Sequence, residues 1–455
     1  MSVQTGPDEI VATTDSLSVS LDPGRLSRLK GFLRETSTGS SFRGRVGLTT
    51  VANLAQGLIG LATGVTAARL LGPQGRGELA SIQTWPLLLA SLAMIGMPEA
   101  VVYFASRSRE RAGQYLATAL VMVLGAGVAM GIAGWWLMPW LLHAQSPAII
   151  HAARLFLPII ALYAIAGLPH HMLRALGAWR SWNLFRLLPS LLWMGVLLAA
   201  FLSPRLASPI ILSKLALTTT FVTIIPLVLV LRRQSCGPYV PRGEYVRPLV
   251  HYGLPSMLNV LPQTLNLRLD QMMMTAALEP TLLGLYVIAV AWSGMLSPLV
   301  SSVGTVLFPH LSAIGDHRQQ RATMLGIARR LVVAVVVLTI VLLILTPFVF
   351  PLLFGSRFNA AIPAALILVV ASGFSTLNST FEASLQGLGR PMGVLVAEVV
   401  GLVMTLVLLL VLLPPFGIVG AAIASLVAYM MTTILLVAQL SRVLRQTLPA
   451  EGVSG

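Results

Sequence analysis

Polar side chains recur at helical spacing inside a stretch of sequence that is otherwise apolar. Thr49, Asn53, Gln56, Gly60 and Thr63 follow one another in steps of four and three residues, which puts them on one face of an α-helix. Such a face avoids lipid, because a polar group without a partner costs free energy inside a bilayer. The stripe is therefore expected to face the protein interior.

A second stripe repeats this pattern in the other half of the chain. Ser256, Asn259, Gln263, Asn266 and Asp270 lie 206 or 207 residues after the members of the first series and have the same spacing. Hydrogen bonding between helices, worth about 0.6 kcal/mol per contact, would explain either stripe alone. Two stripes at equivalent positions favour an internal repeat with a water-filled cavity between its halves.

Charged residues also occur well inside apolar stretches, namely Arg268, Asp270, Lys214, Glu382 and Glu398. A charge at the centre of a bilayer costs about 3 kcal/mol, so these five groups must be paired or reached by water. Arg268 is two residues from Asp270 and therefore points to another side of the helix. It reaches the cavity if Pro262 turns the helix, and an ion pair with Glu382 or Glu398 is the alternative.

The elements that carry these residues are predicted to be transmembrane helices. The chain is 56% hydrophobic and only 10% charged, whereas soluble domains contain about a quarter charged residues. Apolar runs long enough to cross a bilayer recur along the whole sequence. We predict an all-α integral membrane protein with about twelve spans, at residues 46–69, 78–105, 113–137, 152–175, 184–203, 211–231, 249–277, 284–308, 325–347, 361–387, 392–413 and 417–440.

The basic residues predict the orientation of these spans. With the N-terminus in the cytoplasm, 23 of the 30 basic residues fall on the cytoplasmic side and five on the other. The five are Arg69, Arg76, Arg154, Arg205 and Arg357. Because the basic residues punctuate apolar runs, the net charge of +15 is a topology signal, and no nucleic-acid partner is expected. Both termini are predicted to be cytoplasmic.

These patterns divide the chain into two lobes with short tails. The predicted segments are a cytoplasmic tail at 1–45, an N-lobe at 46–231, a cytoplasmic linker at 232–248, a C-lobe at 249–441 and a cytoplasmic tail at 442–455. Residues 23–35 read either as a short basic amphipathic helix on the membrane surface or as a plain tether. The short loops leave no room for a catalytic domain, and no nucleotide, metal or nucleophile motif occurs, so a transporter rather than an enzyme is predicted.

Several stretches resemble the Wzx-type polysaccharide flippases of the MATE-like exporter superfamily. They are Ala68 to Ala80 (ARLLGPQGRGELA), Leu265 to Ala291, Val306 to Ser312 (VLFPHLS), and Pro351 to Pro391 with its SLQGLGRP ending. The resemblance extends over residues 46 to 440. It implies two six-helix lobes around a central cavity lined by the first, second, seventh and eighth spans, working by alternating access in a bacterial cytoplasmic membrane.

The resemblance also implies a cargo, a polyprenyl-pyrophosphate-linked oligosaccharide, and roles for two residues. Arg268 and Asp270 match the Arg-x-Asp pattern of the family's seventh span. Arg268 is expected to be an anion contact, and Asp270 to be a gating group or the group that couples transport to H⁺ or Na⁺. Partners that it implies are the lipid substrate, a polysaccharide polymerase and other assembly proteins. The whole predicted site comprises Arg268, Asp270, Asn53, Gln56, Asn259, Gln263, Asn266, Lys214, Glu382 and Arg174, without a metal or an organic cofactor.

Two other functions fit the same sequence. One is a cation-coupled exporter of drugs or small molecules, and a net acidic cavity would favour it. The other is a scaffold of a glycan assembly complex that transports nothing.

Overall fold

The computed structural model describes residues 42–234, 237–296, 317–388 and 390–446, and within these ranges the chain forms helices and no strands. In chain order the helices are α1 (Phe42–Ala93), α2 (Met97–Arg107), α3 (Ala112–Leu141), α4 (Pro147–Phe156), α5 (Ile159–Ala175), α6 (Trp179–Leu202), α7 (Pro209–Arg232), α8 (Val246–Asn266), α9 (Leu269–Ala277), α10 (Pro280–Ser293), α11 (His317–Phe354), α12 (Ile362–Gly387) and α13 (Pro391–Gln446).

The predicted all-α, multi-pass membrane architecture is confirmed. Among the described residues, eight helical stretches are long and apolar enough to cross a bilayer, judged by length and composition. The first, Gly47–Arg107, has 61 residues and the last, Met392–Val443, has 52, whereas one span needs about 20. Each therefore holds more than one span. The count of twelve stays a prediction, because part of the predicted eighth span lies outside the described ranges. The helix predicted at 23–35 lies wholly outside them.

Breaks in the two longest helices lie where the sequence predicts loops. Gly72 interrupts α1 with φ 66° and ψ −177°, immediately before Pro73. A residue with a β-carbon is strained at such a positive φ, and proline disfavours helical geometry in the residue before it. Gly417 interrupts α13 after Pro414 and Pro415. The long helices are thus pairs of spans joined by tight turns.

The predicted seventh span is bent, but not at Pro262. Helix α8 continues through Pro262 and ends at Asn266, and α9 begins at Leu269. The two residues between them, Leu267 and Arg268, leave helical register, and both are exposed. The break lies next to the predicted charged residues and sets the direction of Asp270 in the first turn of α9.

The N-terminal half (α1 to α7) and the C-terminal half (α8 to α13) cross closely at two places, one at Gly96 and Gly253 and the other at Gly77 and Gly284. A β-carbon on Gly77 would lie 1.7 Å from the carbonyl oxygen of Pro280, and one on Gly284 would lie 1.9 Å from that of Pro73. Only glycine permits this approach of two backbones. By the predicted orientation, the glycine crossing formed by Gly77 and Gly284 lies at the non-cytoplasmic end.

Polar contacts between the halves surround the glycine crossing. Gln145, in the turn between α3 and α4, donates hydrogen bonds of 3.0 Å to the carbonyl oxygens of Thr275 and Leu278. These carbonyls belong to the C-terminal end of α9, which lacks helical partners for them. Ser81 donates to the side-chain oxygen of Gln145 at 3.2 Å, and Trp85 donates to the Thr275 hydroxyl at 2.9 Å. The C-terminal end of α9 is thus capped by a side chain of the N-terminal half.

Candidate functional site

A polar cavity of about 400 Å³ lies within the C-terminal half, between α8, α9, α10, α12 and α13. Three of its lining residues carry carboxyl groups, and among the described residues no lysine or arginine lines it. Its polar lining residues are Gln263, Asn266, Asp270, Ser293, Ser372, Ser375, Thr376, Asn378, Ser379, Glu382, Glu398, Ser425 and Tyr429. The cavity is therefore acidic and rich in hydroxyl and amide groups.

Asp270 is held rigidly at one wall of this acidic cavity. Its side chain is buried, and the hydroxyl of the fully buried Tyr286 donates to Oδ2 at 2.5 Å. The backbone amide of Gln271 donates to Oδ1 at 2.6 Å, because Asp270 lies in the first turn of α9, where amides have no helical partner. Both carboxylate oxygens thus have donors from the protein.

Two glutamates face the same cavity from neighbouring helices. Gln263 donates to Glu382 Oε2 at 2.8 Å, and Thr405 donates to Asn266 Oδ1 at 2.6 Å. The carboxyl groups of Glu382 and Glu398 lie within interaction distance of each other, and the Asn266 side chain also hydrogen-bonds Glu398. Glu382 Oε1 is buried and receives no hydrogen bond from the described residues. Four predicted site residues, Gln263, Asn266, Asp270 and Glu382, are thus brought together.

Arg268 does not join this group. It lies at the break before α9 with its side chain exposed, and it is not among the residues that line the acidic cavity. In the part of the chain that the structure describes, Arg268 forms no ion pair with Glu382 or Glu398. The alternative of a structural ion pair is therefore not supported, and Arg268 lies beside the seventh-span break, near enough to Asp270 to interact with its carboxyl group.

The first polar stripe binds an arginine that the predicted site did not include. The Arg186 Nε of α6 donates to Gln56 Oε1 at 2.9 Å, and its Nη2 donates to Asn53 Oδ1. The guanidinium carbon also lies 5.4 Å from the centre of the Trp182 ring. Because both acceptors are neutral amides, the half-buried guanidinium keeps its positive charge.

Arg174, in contrast, is neutralised. Its Nη2 donates to both oxygens of Glu99, at 3.0 and 2.9 Å. Glu99 also borders a cavity of about 260 Å³ between the two halves, with Tyr163 and His171 on one side and Ser256 and Thr264 on the other. This small space lies between the halves, but none of its lining residues belongs to the first polar stripe, so the predicted cavity shared by both stripes stays a prediction.

Lys214 lies away from both polar regions, which corrects its predicted place in the cavity. It is exposed on α7 and packs beside Ala152, Leu155 and Phe156 of α4. Helix α7 begins at Pro209, so the lysine is little more than one turn from the helix end and its long side chain can reach the membrane interface. The side chain of Asn259 lies outside the described residues.

Several residues of the site could not be chosen from the sequence. Arg186 was visible as a charge near a span end, but its partners are 130 and 133 residues away in the chain. Nothing in the sequence distinguishes Tyr286 and Thr405 from other residues of the spans. Their roles follow from the hydrogen bonds that they donate to Asp270 and Asn266. Glu398 was recognised as a charge inside a span, without its position beside Glu382.

Solved structures with the same fold include transporters of two kinds. An inward-facing multidrug resistance MATE family transporter of the MOP superfamily has a TM-score of 0.71 and 16% identity, covering 88% of this chain and 100% of its own. The lipid II flippase MurJ in an inward closed conformation has a TM-score of 0.73 and 13% sequence identity, and the match covers 88% of this chain and 89% of that one. An outward-facing multidrug resistance MATE family transporter has a TM-score of 0.61 and 18% sequence identity, and the match covers 89% of this chain and 96% of that one.

The sequence was also compared with protein-family models and with curated protein sequences. A family model described as polysaccharide biosynthesis protein matches residues 44–315, which is more than half of the chain. No curated protein sequence matches this chain significantly. The fold is thus shared with multidrug resistance MATE family transporters and with a lipid II flippase, while the matching family model is described as polysaccharide biosynthesis protein.

Proposed function

The chain belongs to the polysaccharide biosynthesis protein family, and we propose that it is a flippase for lipid-linked oligosaccharides. In this proposal it moves a polyprenyl-pyrophosphate-linked oligosaccharide from the cytoplasmic to the outer leaflet of a bacterial cytoplasmic membrane by alternating access. Both termini are cytoplasmic, and a polysaccharide polymerase with other assembly proteins acts on the product.

The observation that carries this proposal is an arginine held by neutral side chains alone. Arg186 is bound by Asn53 and Gln56, so its charge is available to a pyrophosphate or a sugar acid. Arg268 is exposed and forms no salt bridge among the described residues, although Asp270 lies near enough to interact with it. A guanidinium can bind two phosphate oxygens at once, which suits the headgroup of the proposed substrate. Arg186 therefore joins Arg268 as an anion contact in the proposal.

The acidic cavity is the proposed coupling site. Glu382 and Glu398 lie side by side, and a pair of carboxyl groups in contact can hold one proton between them. A proton is therefore the favoured coupling ion, with Na⁺ as the alternative, and Asp270 gates access through its bond to Tyr286.

The function is tested by reconstitution with the natural cargo. Lipid-linked glycan extracted from the producing cell is placed in proteoliposomes, and its appearance on the opposite leaflet is measured with an impermeant glycan-oxidising reagent. We expect Arg186→Gln to slow flipping at least about tenfold, Arg186→Lys to be intermediate and the exposed Arg205→Gln to be neutral. Failure of the wild-type protein to move any such glycan would refute the proposal.

Coupling is tested in the same vesicles. An imposed proton gradient is expected to accelerate flipping by the wild type but not by Glu398→Gln, which should still move cargo without a gradient. Glu244→Gln, an exposed carboxylate on the linker, is the matched control. Acceleration by a Na⁺ gradient at constant pH would instead assign the coupling ion as sodium.

One observation favours a second function, the export of small cations. The polar cavity of the C-terminal half is acidic, and an organic cation could be attracted by its three carboxylates. The same proteoliposomes, loaded with a fluorescent organic cation, distinguish the two functions. Movement of the cation without movement of the glycan would establish the second function in place of the first.

A further inference from the structure

An apolar groove of about 490 Å³ lies on the outside of the N-terminal half, away from the proposed transport path. One wall is formed by α3 and the other by α4 and α5, which turn at Leu157 and Pro158. Its α3 wall is formed by Leu124, Gly127, Val128, Gly131, Ile132 and Trp135. Its exposed aliphatic residues are on the surface that faces lipid.

One cation, Arg154, borders this groove, and its position has a local cause. Residue 139 of α3 is a proline, so the Trp135 carbonyl lacks the amide donor it would normally have four residues later. Arg154 Nε donates to that carbonyl at 2.9 Å, and its guanidinium carbon lies 5.1 Å from the centre of the Trp135 ring. The two Nη groups donate no hydrogen bond to the described residues, so they stay available at the groove.

The level of Arg154 in the membrane is marked by tryptophans. Trp136 and Trp140 are 75% and 74% exposed in the last turns of α3, as in the aromatic belts at membrane interfaces. The charge asymmetry predicts that this interface is the non-cytoplasmic one. A guanidinium at this depth meets the phosphates of lipids, while the groove below it meets their acyl chains.

We propose that this groove binds one anionic phospholipid, with the phosphate on Arg154 and one acyl chain along α3. Arg154 makes no ion pair with a carboxylate of the described residues, so a phosphate would supply the missing counter-charge. From Leu124 to Trp135 the groove follows the helix for about 17 Å, close to the length of an extended acyl chain. Gly131, where an added β-carbon would have no heavy atom within 4 Å, leaves room for the chain.

Variants can separate the headgroup contact from the groove itself. Arg154→Gln removes the cation, and Lys214→Gln removes a neighbouring exposed cation on the other side of α4 as the matched control. Gly131→Leu fills the groove at a position where an added β-carbon has no heavy atom within 4 Å. Gly125→Leu, equally open but outside the groove lining, is its control.

Binding is measured by native mass spectrometry on the delipidated full chain, titrated with phosphatidylglycerol or with phosphatidylcholine carrying the same acyl chains. The wild type is expected to bind one phosphatidylglycerol in preference to phosphatidylcholine. Arg154→Gln and Gly131→Leu should each weaken this binding at least about tenfold, and the two controls should not. Wild-type binding by both variants would overturn the proposal, and so would preferential retention of a polyprenyl phosphate. If Arg154→Gln fails to fold, Gly131→Leu decides alone.

Discussion

Replacing Gly284 with alanine should open the glycine crossing between the two halves. The new β-carbon would lie 1.9 Å from the Pro73 carbonyl oxygen and 2.9 Å from the Gly77 amide nitrogen, whereas real β-carbon contacts are essentially never below 3.0 Å. The two backbones must therefore separate by at least about 1 Å, and neither side has a flexible group that could yield. Overpacking of this kind costs about 1–3 kcal/mol.

That cost applies to conformations in which the crossing is closed and not to those in which it is open. The open population should therefore rise about 5- to 150-fold. Spin labels on the exposed residues Gln74 and Glu279, in a background where the single cysteine Cys236 is serine, report the separation by pulsed electron resonance. We expect a longer distance component in Gly284→Ala and a wild-type distribution in Gly64→Ala, whose added β-carbon has no neighbour within 4 Å. Unchanged distances in a folded Gly284→Ala protein would refute the reasoning.

Three further substitutions test other parts of the structure. Gln145→Leu removes the donor that caps Thr275 and Leu278, so the Tm of the purified protein should fall by the equivalent of about 1–3 kcal/mol, and an unchanged Tm would contradict the cap. Tyr286→Phe removes the hydroxyl that donates to Asp270 and should slow glycan flipping. Tyr429→Phe, in the same cavity as Asp270, should leave the flipping rate unchanged. Equal flipping rates for Tyr286→Phe and the wild type would show that the bond has no role. Asn53→Asp places a carboxylate against Arg186, so glycan flipping in proteoliposomes should be largely lost although the protein folds, and wild-type flipping would exclude Arg186 as the anion contact.

The sequence predicted those parts of the site that depend on helical periodicity. Gln263, Asn266 and Asp270 follow steps of three and four residues, and the structure places all three at one cavity although the helix breaks after Asn266. Glu382 was predicted to need a partner because it is a charge inside a span, and it has Gln263 and Glu398. Periodicity determines which residues share a face, and the cost of burying charge determines that they meet other polar groups.

The rest depends on which helices pack together and on exact helix ends. Lys214 was assigned to the cavity because its neighbours are apolar, but its closeness to the start of α7 lets it reach the interface. Arg186 could not be matched with Asn53 and Gln56, because nothing in the sequence shows that α6 packs on the first stripe. Pro262 predicted a bend five residues too early, since a helix in a membrane protein can continue past a proline whose freed carbonyl finds another partner.

The glycine crossing at Gly77 and Gly284 gives evidence for the internal repeat that is independent of the polar stripes. Gly77 and Gly284 are 207 residues apart, as are Pro73 and Pro280, and each glycine packs on the other half's proline carbonyl. Such reciprocity is what a two-fold axis between equivalent helices produces. The interior does not keep this symmetry, because Gly60 and Thr63 of the first stripe correspond to Asn266 and Asp270 of the second. The N-terminal half thus has an arginine on neutral amides where the C-terminal half has carboxylates, so the Arg186 anion contact and the coupling carboxylates can reside in different lobes that meet at a symmetric contact.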